Sequence, residues 1–133
     1  MSKSPTQTIM RSGLSRARGL GSAQTGATHW FAERVTGMAL VPLTLWFIYS
    51  IFSLLGAPRA AVAAWAGHTV NATLLLALVL IMFKHMAMGL QVVMEDYIHS
   101  EKLRLVSVLA MKAVVGLFGI AAILAIIKLA LAA

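Results

Sequence analysis

The chain contains no cysteine and only four acidic residues among its 133. The lack of cysteine excludes disulfides, thiolate metal sites and a cysteine-held iron–sulfur cluster, and it leaves the redox compartment open. No G-x-G-x-x-G or Walker-type sequence occurs, so nothing supports binding of a nucleotide or a flavin. Charged residues make up 11% of the chain, whereas a soluble domain carries about a quarter.

Hydrophobic residues make up 60% of the chain, and the mean hydropathy is +0.88. Three apolar runs predict transmembrane helices at about residues 35–55, 70–94 and 105–131, since about 20 helical residues cross the hydrocarbon core. The predicted fold class is therefore an all-α membrane protein with three transmembrane helices. We divide it into a basic N-terminal arm, residues 1–34, and an anchor domain, residues 35–133.

The basic residues are concentrated at one end of this chain of net charge +7. The arm is rich in lysine and arginine, the first loop carries Arg59 alone, and the second carries Lys102 and Arg104. The positive-inside rule predicts that the arm and the second loop share the cytoplasmic side, or the matrix side in a mitochondrion, and that the C-terminus lies opposite. Such charge favours an anionic membrane surface or an acidic partner over nucleic acid.

The composition of the N-terminal arm also predicts the membrane in which the protein resides. An Arg- and Ser-rich, acid-poor start is similar to a mitochondrial transit peptide, and it also suits a cytoplasmic arm. We interpret it as a cytoplasmic arm and predict the bacterial inner membrane rather than the mitochondrial inner membrane.

A histidine lies well inside the second predicted helix. His85 precedes the polar end at Glu95 by about ten residues, or roughly 15 Å. Ionisable residues at this depth are costly and are functional candidates by default. His85 is either an axial haem ligand or a histidine hydrogen-bonded to a neighbouring helix. Gly89, four residues later on the same face, removes side-chain bulk that a flat macrocycle would meet, and it favours the ligand.

The remaining histidines lie away from that depth. His29 and His99 are predicted at one membrane interface and His68 at the other, and the first and third predicted helices contain none. If a second histidine completes the ligation of a haem, it must come from another chain. That chain is either a partner subunit or a second copy of this one.

An acid and a tyrosine follow the apolar part of the second predicted helix, in a predicted loop over residues 95–102. Tyr97 alone is typical of the aromatic belt at a membrane interface. In the functional interpretation, its phenol donates a hydrogen bond to a quinone carbonyl, and Asp96 orients the phenol or relays protons from water. Quinone reduction needs protons as well as electrons, so a site at the boundary of lipid and water suits it.

Two motifs, in this order and in a chain of this size, resemble the smaller hydrophobic anchor, or D subunit, of succinate dehydrogenase (respiratory complex II). The first motif is GSAQTGATHWFAERVTG at residues 21–37 followed by ALVPLTLW at residues 39–46, and the second is His85-x3-Gly89 followed by Asp96-Tyr97. The sister anchor of that family has a similar histidine, glycine and acid. The tyrosine after Asp96 favours the D subunit.

The resemblance implies partners and cofactors. The partners would be a flavoprotein that oxidises succinate, an iron–sulfur subunit and the sister anchor. Haem b would lie between the two anchors, with His85 as the axial ligand from this chain. Asp96 and Tyr97 match the ubiquinone site, Arg34 falls near the haem propionates and the quinone pocket, and His29 is a further candidate there.

The predicted function is therefore that of a membrane anchor subunit of succinate:ubiquinone oxidoreductase. As a subunit of an enzyme, it would not oxidise succinate by itself. Three alternatives stay open: the related anchor of a quinol:fumarate reductase, a structural anchor without cofactor, and a homodimer that binds haem through His85 of two copies.

Overall fold

The computed structural model describes residue 13 and residues 25–132, and in that part of the chain it is helical without strands. The helices are α1 (Thr25–Ser53), α2 (Arg59–Gly67), α3 (Thr69–Tyr97) and α4 (Glu101–Leu131). Helices α1, α3 and α4 are long and apolar enough to cross a membrane. The predicted all-α fold with three spans is confirmed. Most of the predicted arm lies outside the described residues, and its separation from an anchor domain stays a prediction.

Helix α1 begins before the predicted span and includes the end of the predicted arm. Hydropathy marks the part of a helix that lies in lipid, whereas a helix begins where its backbone hydrogen bonds begin, so Glu33 and Arg34 are helical. The helix ends at Ser53, two residues before the predicted end. Gly56 follows with φ of 76°, a left-handed conformation that suits a residue without Cβ.

A short helix, α2, occupies the connection between the first two predicted spans. Ala63 and Ala66 are its buried residues. Trp65 stacks on Trp46 of α1, with ring centroids 5.8 Å apart and planes at 22°. The side-chain amide of Asn71 in α3 donates a hydrogen bond to the Trp65 carbonyl, at 2.8 Å. These contacts fix α2 against both neighbouring spans.

Helix α3 is the central helix of the bundle. It packs against both α1 and α4, which do not pack against each other within the described residues. A small apolar core lies where α2, α3 and α4 meet, and Gly119 of α4 lies against Phe83 of α3. The buried apolar side chains are Ala63, Ala66, Leu75, Leu78, Met111 and Val115.

Large apolar side chains cover the outside of the three long helices. Phe52 is 68% exposed, and Leu117 is 69% exposed in the isolated chain. Apolar surface of this extent is unfavourable in water, whereas lipid tails and partner helices can cover it. The exposed surface therefore agrees with the hydropathy of the three spans.

The predicted loop over residues 95–102 is largely helical, so that prediction is wrong. Helix α3 continues to Tyr97, α4 begins at Glu101, and residues 98–100 connect them. The Ile98 amide donates to the Met94 carbonyl, at 3.0 Å, and closes the last turn of α3. Charged residues end a lipid-facing run without ending a helix, since glutamate is a good helix former.

Candidate functional site

His85 lies on the side of α3 that packs against α1. Its Nδ1 is 3.0 Å from Oγ1 of Thr36. The next residue, Gly37, also borders the ring, because a Cβ built there would lie 3.3 Å from Cε1 and 3.9 Å from Nδ1 of His85. The imidazole is half-buried. Helix α1 therefore contacts the ring through one hydroxyl and one backbone position that has no side chain.

The Thr36 hydroxyl has further partners in its own helix. Oγ1 lies 2.8 Å from the Ala32 carbonyl oxygen and 3.0 Å from the Glu33 carbonyl oxygen. Threonine commonly bonds back in this way to the carbonyls one turn earlier. The side chain of Thr36 is thus held by α1 itself and presents its oxygen to α3.

A groove of about 450 Å³ runs beside the imidazole. Most of its lining comes from α1, so it lies along the surface of that helix and includes a charged residue of each sign. The guanidinium of Arg34 lies 5.5 Å from the ring centroid of Trp30, a cation–π distance. The lining residues are Glu33, Arg34, Gly37, Met38, Val41 and His85.

A second groove, of about 490 Å³, lies between the first turns of α1 and the last turns of α3. His29 contributes to its lining, and the Nε2 atom of His29 is buried without a hydrogen-bond partner among the described residues. Gln91 and Glu95 line the opposite side, and the Gln91 amide donates to Glu95 at 2.7 Å. Glu33 borders both grooves, so His29, Arg34 and His85 share one side of the chain.

The structure does not bring Asp96 and Tyr97 into either groove. Both are exposed in the last turn of α3, and Tyr97 is 79% exposed. Gly89 also borders open space, because a Cβ built there would meet nothing within 4 Å. All three predicted site residues therefore border open space in the isolated chain, and their roles stay predictions.

Thr36 and Gly37 lie near His85 and were not predicted from the sequence. Thr36 lies about three turns into α1, and His85 lies about three turns before the end of α3. Antiparallel neighbours bring residues at equal depth together, and small residues allow transmembrane helices to approach closely. A Thr-Gly pair level with a membrane histidine is the signal that could have identified this contact.

Most of the chain is similar to known membrane anchors. Residues 8–119 match the family model described as succinate dehydrogenase/fumarate reductase transmembrane subunit. The chain belongs to this family. No solved structure matches the chain.

The relatives agree with the family and with the resemblance drawn from the motifs, which is confirmed. The succinate dehydrogenase hydrophobic membrane anchor subunit of Rickettsia bellii is 33% identical over 117 residues, 88% of this chain and 90% of the relative. The subunit of the same name from Rickettsia conorii is 36% identical over 90 residues, 67% of this chain and 71% of the relative. The succinate dehydrogenase membrane anchor subunit of Reclinomonas americana is 23% identical over 94 residues, 68% of this chain and 78% of the relative.

Membership of this family and the three apolar helices show that the chain is an integral membrane protein, an anchor subunit of an oxidoreductase complex. Within the described residues, no group of three or more His, Asp or Glu side chains could hold a metal ion. The role of His85 as a metal ligand stays a prediction.

Proposed function

We propose that this chain anchors a succinate:ubiquinone oxidoreductase in the membrane, supplies one axial ligand of haem b through His85 and forms part of the quinone site. The observation that carries the proposal is the geometry of His85. One ring nitrogen is hydrogen-bonded to α1, and the ring borders a groove that opens on the surface of the chain.

The surroundings of His85 fit an axial imidazole. Such a ligand binds iron through one nitrogen, while a hydrogen bond at the other nitrogen fixes the ring. Thr36 lies at Nδ1, and Nε2 makes no hydrogen bond to a described residue. When bound, haem b would carry one electron at a time. Arg34 lines the same groove and would offer its cation to the propionates, with His29 in the neighbouring groove.

The second axial ligand comes from the sister anchor in this proposal. His68 precedes the first residue of α3, and His99 follows the last, so both lie at helix ends far from the middle of α3. Gly89 and the open space beside it offer a surface for the macrocycle between the two anchors.

The quinone site is proposed at the end of α3. Tyr97 would donate a hydrogen bond from its phenol to a quinone carbonyl, and Asp96 would orient it or pass protons from water. Both side chains are exposed in the isolated chain, which supports a pocket completed by other subunits. The basic arm and the connection between α3 and α4 share one side by the positive-inside rule, and we propose that the iron–sulfur subunit and the flavoprotein dock there.

A reduced-minus-oxidised absorbance spectrum of the purified complex tests the haem role. We expect a b-type signal in the wild-type complex that is lost or shifted in His85→Ala. The matched control is His68→Ala, since His68 is exposed and makes no side-chain cap bond to α3. Succinate oxidation with a soluble acceptor should persist in both variants, and an unchanged haem spectrum in His85→Ala would contradict the ligand assignment.

A structural anchor without haem is the second candidate. The hydrogen bond between Thr36 and His85 favours it, because such a bond also joins two membrane helices without any cofactor. An intact complex without a b-type signal would support this candidate. Copurifying soluble subunits would separate both candidates from a homodimer that binds haem by itself.

A further inference from the structure

We infer that Thr36 is a positioning residue that keeps the hydrogen of His85 on Nδ1 and leaves Nε2 as the nitrogen free to bind a metal. This inference deepens the proposed haem role and rests on it for its meaning. Its basis is the set of three short distances around one hydroxyl oxygen.

The Thr36 hydroxyl carries a single hydrogen. Oγ1 lies within 2.8 Å of one backbone carbonyl oxygen and 3.0 Å of another. Carbonyl oxygens only accept hydrogen bonds, so the short approaches are favourable when the hydroxyl hydrogen lies between Oγ1 and these oxygens. That hydrogen is then not available for His85.

The imidazole of His85 meets this hydroxyl through Nδ1. With its hydrogen directed to α1, Oγ1 can only accept a bond from His85, and it lies 3.0 Å from Nδ1. Nδ1 must therefore carry the hydrogen, and a neutral imidazole then has its lone pair on Nε2. The opposite tautomer would turn the hydroxyl hydrogen away from the carbonyls and lose one hydrogen bond, while Nε2 has no partner among the described residues in either tautomer. Unmade bonds of this kind are costly away from water.

Two consecutive residues of α1 set the direction of the His85 ring. Thr36 contacts Nδ1, and Gly37 lies against Cε1, so the Nδ1–Cε1 edge faces α1. Nε2 lies on the other side of Cε1 from Nδ1, on the part of the ring to which Thr36 makes no hydrogen bond. Both contacts come from consecutive residues of one helix, so a single element sets the tautomer and the orientation together.

The tautomer can be measured without haem by ¹⁵N NMR of the full-length, histidine-labelled chain in lipid bilayers, with the His85 signals assigned from their loss in His85→Gln. We expect a protonated Nδ1 and an unprotonated Nε2 in the wild type. Thr36→Val, which keeps the side-chain shape, should abolish this preference, and Thr36→Ser should keep it. The control Thr44→Val removes a hydroxyl of α1 that bonds back to its own helix in the same way.

The consequence for haem is measured in the purified complex by redox titration and by electron paramagnetic resonance of the oxidised state. A hydrogen bond donated by Nδ1 makes an axial imidazole a stronger electron donor and favours oxidised iron. Thr36→Val should therefore move the midpoint potential to a more positive value and change the g-values, while Thr36→Ser and Thr44→Val stay at the wild-type values.

Different results overturn the inference about Thr36 and the proposed haem role. A wild-type His85 with its hydrogen on Nε2, or Thr36→Val with the wild-type tautomer, overturns the inference about Thr36 whatever the haem content. A wild-type complex without haem overturns the proposed function, while the NMR result still decides the role of Thr36.

Discussion

The backbone of Gly37 lies beside an edge of the His85 ring, so close that a methyl group there would require the ring to move by a few tenths of an ångström. A Cβ at Gly37 would lie 3.3 Å from Cε1 of the imidazole, closer than ordinary van der Waals contact. The same ring is hydrogen-bonded to Thr36, so any movement of the ring away from Gly37 also strains that hydrogen bond. The glycine is needed here for space and not for backbone conformation.

Gly37→Ala should therefore alter the imidazole more than it alters the stability of the chain. Overpacking costs about 1–3 kcal/mol, whereas replacing glycine by alanine inside a helix gains about 1 kcal/mol. Because a shift of a few tenths of an ångström in the ring relieves the overlap, the cost of overpacking falls at the low end of this range, and the helix gain largely offsets it. We expect a changed haem spectrum with a nearly unchanged thermal unfolding temperature. Gly116→Ala, where a Cβ would meet nothing within 4 Å, is the control; identical spectra for the two variants would contradict the contact.

The contact between α3 and α4 gives a second prediction. A Cβ at Gly119 would lie 3.4 Å from Cγ of Phe83, the limit of ordinary contact, so alanine should be tolerated there. Gly119→Leu adds bulk against the ring and should destabilise the bundle by about 1–3 kcal/mol. Thermal unfolding in detergent measures this loss, and Gly116→Leu, one turn earlier on exposed surface, should cost less. Equal loss in the two variants would mean that Phe83 moves aside.

The number and type of the long helices could be predicted from the sequence because lipid imposes a simple rule. A span of about 20 predominantly apolar residues with few charges must be helical to satisfy its backbone groups. This requirement applies only within the hydrocarbon core. It therefore missed the first turns of α1, which contain Glu33 and Arg34, and the last turn of α3, which contains Tyr97.

The partners of His85 could not be predicted in the same way. Which face of α1 meets α3 depends on how the helix is rotated, and α1 carries apolar residues on its packed and exposed faces alike. No amphipathic stripe marks the packed face. His85 itself could be identified because a histidine in lipid is unusual, whereas Thr36 and Gly37 are ordinary residues of membrane helices.

Replacing Arg34 should shift the haem midpoint potential in the direction opposite to that expected for Thr36→Val. Reduction of a haem adds negative charge, which a nearby cation stabilises. If Arg34 faces the propionates, Arg34→Gln should move the midpoint potential to a more negative value, and Arg34→Lys should keep most of the wild-type value. Redox titration at low and high salt measures the shift, which screening should reduce. Arg59→Gln, at the start of α2 on the other side of the membrane in the predicted topology, is the control, and an equal shift there would exclude a local effect of Arg34.

Tyr97 provides the test of the quinone site. Tyr97→Phe removes the phenolic hydroxyl and keeps the ring, so the complex should assemble and oxidise succinate with a soluble acceptor at the wild-type rate. Loss of one hydrogen bond, worth about 0.5–1.5 kcal/mol, should reduce quinone turnover roughly two- to tenfold. The control is Tyr49→Phe, since Tyr49 is similarly exposed, at 74%, but lies within the apolar span of α1. If both activities of Tyr97→Phe fall together, assembly has failed, and if neither falls, Tyr97 is a residue of the aromatic belt.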